Sequence, residues 1–167
     1  MNKIKNVLIC ILLIIFLGRC PPMVDFKELN FARKKPSVEY IVGSWAPNKE
    51  TIKYIRDEGK YPDVNTKLIF RKDGTFNVVN MPDWWNDPVG TSKKKMISGN
   101  GEWQFEKYTT SLKYLDYWYI DLRFAKDHLG TLGIDIYGQK NPYMLFIRVG
   151  DPNSGNGMFF ERLNLAN

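Results

Sequence analysis

The chain has 167 residues, the length of one domain of ordinary size. Its 24 Lys and Arg and 18 Asp and Glu give a net charge of +6. Lys3, Lys5 and Arg19 supply three of these charges, so residues 21–167 carry 21 basic and 18 acidic side chains. A surplus that small does not indicate a nucleic-acid binder, and we expect no nucleic acid among the partners.

Both cysteines of the chain, Cys10 and Cys20, lie in its first 20 residues. Residues 21–167 therefore contain neither a disulfide nor a thiol for catalysis. A domain of this size buries about 68% of the surface that its unfolded chain exposes, so we expect its stability to come from its core.

The N-terminus has the pattern of an export signal. Lys3 and Lys5 precede an uninterrupted apolar run of eleven residues, from Val7 to Leu17. A helix of that length is too short to cross about 30 Å of hydrocarbon, but it suits the apolar region of a signal peptide. The alternative is a buried helix of the folded domain, although nothing on the flanks of the run is amphipathic.

The residues after this run resemble the lipobox of bacterial lipoproteins. Leu17, Gly18 and Cys20 match the motif, whereas Arg19 stands where the motif has glycine, alanine or serine. The resemblance implies that residues 1–20 are a lipoprotein signal and that Cys20 receives a lipid. The protein would then be anchored to a membrane of the bacterial cell envelope, facing the periplasm or the cell surface. A signal that stays uncleaved as an anchor is the alternative.

Residues 21–38 are predicted to be a tether with one short helical turn, because Pro21, Pro22 and Pro36 resist regular structure. The folded domain is then expected over residues 39–167.

The first half of the domain gives strand signals with one helical interruption. Residues 40–46 predict the first strand, and residues 48–59 predict a short helix capped by Asn48. Asp73-Gly74 predicts the turn of a hairpin within residues 66–81. Residues 82–98 are predicted to be a long irregular connection.

The second half alternates between apolar and polar residues. Strands are predicted over residues 101–107, 117–124, 131–138, 143–150 and 157–164, with one set of side chains directed inward: Trp103, Phe105, Trp118, Ile120, Leu122, Phe124, Leu132, Ile134 and Ile136. Residues 143–150 are apolar on nearly both faces, which predicts a strand that is covered on both sides.

Eight strands joined mostly by short turns predict antiparallel neighbours in sequence order. Closing the sheet removes its exposed edges. The predicted fold is therefore all-β, an eight-stranded antiparallel up-and-down barrel with one short helix after the first strand. Such a barrel is filled by side chains or leaves room for one small ligand.

The start of this barrel carries a family signature. Gly43-Ser44-Trp45 on the first strand resembles the G-x-W motif of lipocalins and related calycin barrels, and residues 141–161 are similar to a segment of small bacterial lipoproteins with a lipocalin-like domain. The resemblance implies that Trp45 plugs the closed end of the barrel and that Arg162 packs over its ring. A cation over an indole face contributes about 0.5–2 kcal/mol. The helix between the first two strands departs from the family pattern.

The strongest candidate for ligand binding is the pair Trp84-Trp85 in the polar connection after the third strand. Exposed tryptophan stacks on sugars or enters a membrane interface. The alternative is that both rings form a lid over one end of the barrel. Asp83 and Asp87 could flank a sugar as in glycoside hydrolysis, but the sequence gives no distance between them.

The other candidates point to no chemistry. His128 is the single histidine of the chain and lies beside a predicted turn, so it offers neither a triad nor a zinc site. Residues 151–157 are rich in oxygen ligands but lack the glutamate of a calcium loop, and we interpret them as a turn. Lys93–Lys95 is expected to be a solvated hairpin tip, with contact to anionic headgroups as the alternative. We therefore predict no enzyme, no catalytic residue, no metal and no cofactor.

Two interpretations of function follow. The first is an exported, lipid-anchored, monomeric lipocalin-like protein that binds a small apolar or amphipathic ligand. The second is a non-catalytic structural or interaction lipoprotein of the cell envelope with a filled barrel. A cavity of about 300 Å³ or more that opens near Trp84-Trp85 would favour the first. An interior filled by aromatic rings would favour the second.

Overall fold

The computed structural model of the protein describes residues 30–57, 59–61, 65–83, 95–109, 111, 116–126, 129–149 and 157–163. Within these ranges the chain forms two short helices and eight strands, in the following order: α1 (Val38–Ile41), β1 (Gly43–Pro47), α2 (Lys49–Asp57), β2 (Lys67–Phe70), β3 (Thr75–Pro82), β4 (Met96–Tyr108), β5 (Tyr117–Phe124), β6 (Thr131–Tyr137), β7 (Met144–Arg148) and β8 (Gly157–Arg162).

The eight strands form a closed barrel in which every strand pairs antiparallel with its neighbours in sequence. β1 and β8 close the barrel, with Trp45 opposite Arg162 and Pro47 opposite Phe160. Closure leaves no edge strand unpaired, which is the physical reason for expecting it from eight short strands. The predicted up-and-down barrel is confirmed.

The barrel has two ends, which we call proximal and distal. The proximal end holds the starts of β1, β3, β5 and β7 and the ends of β2, β4, β6 and β8. The distal end holds α2, the ends of β1, β3, β5 and β7 and the starts of β2, β4, β6 and β8. The predicted hairpin turn at Asp73-Gly74 lies at the proximal end, where Asp73 accepts a hydrogen bond from the Thr75 backbone N–H at 2.9 Å.

Helix α2 forms as predicted but is three residues shorter than the predicted range of 48–59. The Asn48 side chain caps it, because its Oδ1 accepts a hydrogen bond from the Thr51 N–H at 2.8 Å. The helix ends at Asp57, and the Gly59 N–H then donates to the Tyr54 carbonyl at 2.8 Å. Thr51 and Ile55 form its buried face.

Two predicted boundaries are wrong. The first strand starts at Gly43 rather than Tyr40, because residues 38–41 form α1. The fourth strand starts at Met96, inside the segment predicted to be irregular. Ser98, Gly99 and Asn100 lack an apolar alternation, but they lie in the part of β4 that pairs with β3, and Asn80 takes a positive φ of 47° where the register of that pairing shifts. Tertiary pairing here overrides weak local preference.

Residues 30–33 are built into the barrel wall instead of belonging to a free tether. The pairing of β5 with β6 reaches Tyr119 opposite Asp135. Beyond that point Ala32 lies between the two strands: its N–H donates to the Ile136 carbonyl and its carbonyl accepts from the Trp118 N–H, both at 2.8 Å. Phe31 and Ala32 are 2% and 1% exposed. The folded domain therefore includes residues that the sequence had assigned to the tether over 21–38.

Candidate functional site

The signature residues meet at the proximal end of the barrel. Gly43 has a φ of 135°, and a Cβ built on it would lie 3.1 Å from Arg162 Nε, so glycine leaves the space that the guanidinium occupies. The same guanidinium donates a hydrogen bond to the Val42 carbonyl. The predicted pairing of the first and last strands is confirmed, whereas the stacking of Arg162 on the Trp45 ring stays a prediction.

Trp45 is buried, with 1% of its surface exposed, and it contacts α1. Its Nε1–H donates to the Ile41 carbonyl at 2.8 Å. Ile41 is completely buried in the same hydrophobic cluster as the inward-facing strand residues. Helix α1 thus packs against the barrel at its proximal end, beside Trp45.

The barrel interior is filled by side chains of the described strands. One cluster contains inward-facing residues from all eight strands: Trp45, Leu68, Phe70, Phe76, Val78, Met81, Trp103, Ile120, Leu122, Phe124, Leu132, Ile134, Ile136, Leu145, Ile147, Met158 and Phe160. The packing is tight, since a Cβ on Gly99 would lie 3.0 Å from the Phe124 ring. Rings also meet edge to face, with the Phe76 and Phe124 centroids 5.1 Å apart.

Helix α2 covers part of the distal end. Ile55 and Tyr61 are 0% and 5% exposed and belong to the interior cluster. Thr51 Oγ1 accepts a hydrogen bond from the Phe159 N–H at 2.9 Å, which ties the helix to β8. The Tyr61 hydroxyl donates to Asp83 Oδ1 at 2.6 Å, so Asp83 has a structural partner in its 6% exposed position.

A cavity of about 510 Å³ opens at the proximal end, on the side of β7, β8 and β1. It is lined by the following residues: Trp45, Asn141, Pro142, Tyr143, Met144, Glu161 and Arg162. This is not where the sequence predicted a ligand cavity, which was near Trp84-Trp85. Those two residues lie outside the described part of the chain, and the described residues that flank this gap, Asp83 and Lys95, lie at the distal end.

A second, smaller groove of about 300 Å³ lies on the outer face of β4 to β7. Arg148 lies in it and is bound on two sides: it contacts Asp135 Oδ2 at 3.0 Å and donates to the Tyr117 hydroxyl at 2.9 Å. Phe31, Tyr117 and Phe146 form a separate buried cluster beside this group. The prediction that the strand containing Phe146 is covered on both sides is confirmed. That Phe31 covers its outer side was not predicted.

Burial raises the pKa of two side chains in this outer group, Asp135 and Tyr117. Desolvation raises the pKa of the Asp135 carboxyl, and the Arg148 guanidinium opposes that rise. Desolvation together with the Asp135 charge raises the pKa of Tyr117 to about 12. Tyr117, Asp135 and Arg148 were not predicted as a group, because Asp135 and Arg148 lie at positions of the strand pattern that usually face water.

The shifted pKa of Tyr117 predicts a loss of stability at alkaline pH. In the unfolded chain the phenol releases its proton near pH 10, but in the folded chain only near pH 12. Between these values the folded state therefore binds more protons than the unfolded state. The contribution of Tyr117 to the free energy of unfolding is fully present below pH 10 and is lost as the pH rises toward 12. Urea unfolding at pH 9, 10, 11 and 12 measures this loss. The free energy of unfolding should fall more steeply with pH for the wild type than for Tyr117→Phe. Equal falls would contradict the assignment.

Several predicted residues lie outside the described part of the chain. These are Cys20, Trp84, Trp85, Asp87, Lys93, Lys94, His128 and residues 151–156, whose roles stay predictions. Among the residues that the structure does describe, there is no group of three or more His, Cys, Asp or Glu side chains that could hold a metal ion. Over the same ranges, neither helix has the length and apolar character to cross a membrane.

Comparison with known proteins adds no relative. No family model matches the chain, and neither a curated protein nor a solved structure is similar to it.

Proposed function

We propose that the protein is an exported, lipid-anchored, lipocalin-like barrel of the bacterial cell envelope that acts through its outer surface as a non-catalytic structural or interaction module. The observation that carries the proposal is the filled interior: side chains from all eight strands form one buried cluster, and residues of α1 and α2 join it from opposite ends. A ligand in the lumen would have to displace buried rings.

The cost of such displacement is high. Removing a large apolar side chain from a packed core costs about 3–5 kcal/mol, and a ligand would have to recover that energy for each ring that it displaces. Trp45, Phe70, Phe76 and Phe160 are all at most 1% exposed in this interior. The filled barrel therefore favours the second interpretation of the sequence over a ligand held in the lumen.

Export and anchoring are supported by the N-terminal sequence. The apolar run from Val7 to Leu17 and the lipobox-like residues before Cys20 indicate a lipoprotein signal. The domain lacks cysteine and has a continuous core, which suits a chain that folds without disulfides after export.

A second candidate function is the binding of a small amphipathic molecule at the proximal cavity. Its volume of about 510 Å³ lies within the range of about 300–1,000 Å³ that is usual for ligand sites. Its lining combines the apolar side chains of Tyr143 and Met144 with the charges of Glu161 and Arg162.

Titration with 11-(dansylamino)undecanoic acid, a fluorescent fatty-acid analogue, separates these functions. The filled barrel predicts no saturable rise in dansyl fluorescence. Met144→Trp narrows the proximal cavity, and Lys126→Trp at the distal end serves as its control. Saturable binding that Met144→Trp abolishes would establish the second candidate. Saturable binding that neither of these variants changes, and that Gly133→Trp in the outer groove also leaves unchanged, would place the probe in the lumen and refute the filled barrel.

A further inference from the structure

The large apolar side chains that are exposed in the described ranges are gathered at one end of the barrel. They are Tyr40, Tyr108 and Leu163, with 43%, 48% and 41% of their surface exposed. Tyr40 lies in α1 directly before β1, Tyr108 ends β4, and Leu163 follows β8. All three positions belong to the proximal end. Single exposed apolar residues are found on most proteins and need no explanation. Three that lie at the same end of the barrel call for a physical reason.

Folded elements hold these side chains in place. The Leu163 N–H donates to the Ser44 carbonyl at 2.8 Å. The Tyr108 ring stacks on Tyr117 with centroids 5.0 Å apart, and the Tyr40 ring lies 6.2 Å from that of Tyr143. Tyrosine has an apolar ring with a polar tip, which suits the boundary between lipid and water.

The chain that leads to the anchor leaves the barrel at the same end. The Asn30 carbonyl accepts a hydrogen bond from the Gly138 N–H, directly after β6. Residues 21–30 can span at most about 33 Å when fully extended, at roughly 3.3 Å per residue. A lipid on Cys20 would therefore hold the proximal end close to the membrane surface, and the distal end farther away.

Charge is compatible with this orientation. Arg33, Lys34 and Lys35 follow the point where the chain joins the barrel, and Lys72 and Lys140 lie in turns at the same end. Such side chains are attracted to anionic lipid, by about 1 kcal/mol each near the surface. The distal end also carries exposed lysines, among them Lys53 and Lys126, so the exposed apolar side chains decide between the ends.

From these observations we infer that the proximal end of the barrel lies against the lipid surface, with Tyr40, Tyr108 and Leu163 in the interfacial layer. The inference rests on the proposed lipid anchor, because the anchor brings this end to the membrane. The barrel lies on the membrane through these side chains, and the distal end with α2 faces away from it.

Fluorescence quenching on the full-length protein tests this orientation. The chain is produced in its native envelope and reconstituted into vesicles of phosphatidylethanolamine and phosphatidylglycerol that contain headgroup spin-labelled lipid. Residues 21–167 have no cysteine, so single cysteines can carry a nitrobenzoxadiazole label: Tyr108→Cys and Leu163→Cys at the proximal end, and Glu50→Cys and Lys126→Cys at the distal end. We expect strong loss of fluorescence at the two proximal labels and none at the distal labels.

A combined variant separates docking from mere nearness. With the label at Lys140→Cys, quenching should be lost when Tyr40, Tyr108 and Leu163 are all replaced by serine. Quenching at the same label should persist when Glu50, Lys53 and Lys126 at the distal end are replaced by serine instead. Quenching that survives the first set of replacements would overturn the inference, as would quenching at the distal labels. The inference would also be overturned if, without vesicles, the protein formed particles of twice the chain mass in which the emission of a proximal label is already blue-shifted. That result would assign this surface to contact with a second copy of the chain.

Labelling with palmitate distinguishes this failure from failure of the proposed function. A protein that incorporates palmitate, unlike its Cys20→Ser variant, but shows no quenching at either end is anchored without docking, which refutes the inference alone. A protein that incorporates no palmitate and stays in the soluble fraction refutes the anchor, and the orientation with it.

Discussion

Replacing Gly101 with alanine should lower the free energy of unfolding by about 3 kcal/mol, at the upper end of what overpacking usually costs. A Cβ at this position in β4 would lie 2.0 Å from the Arg123 carbonyl oxygen and 2.9 Å from the Phe124 Cα of β5. These are backbone atoms that no change of rotamer can move. The two strands would have to separate where Gly101 pairs with Phe124. Urea denaturation followed by far-UV circular dichroism measures the loss.

Gly133→Ala is the matched control, because Gly133 lies in the adjacent pairing of β5 with β6. Its added Cβ would lie 3.7 Å from the Tyr119 ring, at ordinary van der Waals distance. Alanine also restricts the unfolded chain, so this variant should be unchanged or more stable by about 0.4–1 kcal/mol. Equal destabilisation of both variants would show that the cost at Gly101 does not come from contact with the β5 backbone.

Trp45→Leu should cost about 3 kcal/mol, the lower end of the range for truncating a large ring to alanine in a packed core, because leucine refills part of the space. Trp45 is one of the largest fully buried side chains among the described residues. The substitution also removes the indole N–H that donates to the Ile41 carbonyl at 2.8 Å, so α1 loses one of its contacts with the barrel. Chemical denaturation read by circular dichroism is suitable, because tryptophan fluorescence changes with the substitution itself.

Trp118→Leu provides the comparison for Trp45. Trp118 is half-buried, and the Lys35 ammonium lies 5.3 Å from its ring centroid. Its loss should cost clearly less than that of Trp45, because part of the ring already contacts solvent and less apolar area is exposed by the change. If the two variants were equally unstable, Trp45 would not be the central packing residue at the proximal end.

Much of the barrel could be predicted because the strands are amphipathic. In β5, Ile120, Leu122 and Phe124 are buried, and Asp121 and Arg123 form an ion pair on the outer face, as the period of two requires. The Asp73-Gly74 turn and the Asn48 cap followed from local chemistry alone. Closure followed from the short connections together with the need to pair both edges.

The wrong boundaries share a cause that lies outside the local sequence. Residues 38–41 carry Val, Tyr and Ile, which favour a strand, yet they form α1 because Ile41 is buried at the barrel end and its carbonyl binds Trp45. Residues 96–98 join β4 because β3 is long enough to pair with them. Neither partner is visible in a local window of sequence.

The candidate site was predictable only in part, for the same reason. The motif with Gly43, Trp45 and Arg162 correctly indicated that the first and last strands pair. The ion pair of Asp135 with Arg148 joins neighbouring strands on a face that alternation assigns to solvent. Its burial depends on Phe31, which lies about 100 residues earlier in the chain, so no pattern within β6 or β7 could reveal it.

The insertion of residues 30–33 between β5 and β6 has a consequence for how the molecule folds. Arg33 hydrogen-bonds to a carbonyl 83 residues away, Gln139 reaches back 108 residues to Phe31, and Arg162 reaches 120 residues back to Val42. Contacts so distant in sequence require large loops to close first, and barrels of this kind fold in milliseconds to seconds rather than microseconds. Since Ala32 pairs with Ile136 and Trp118, the segment around Phe31 completes the wall of the barrel only once β5 and β6 are in place.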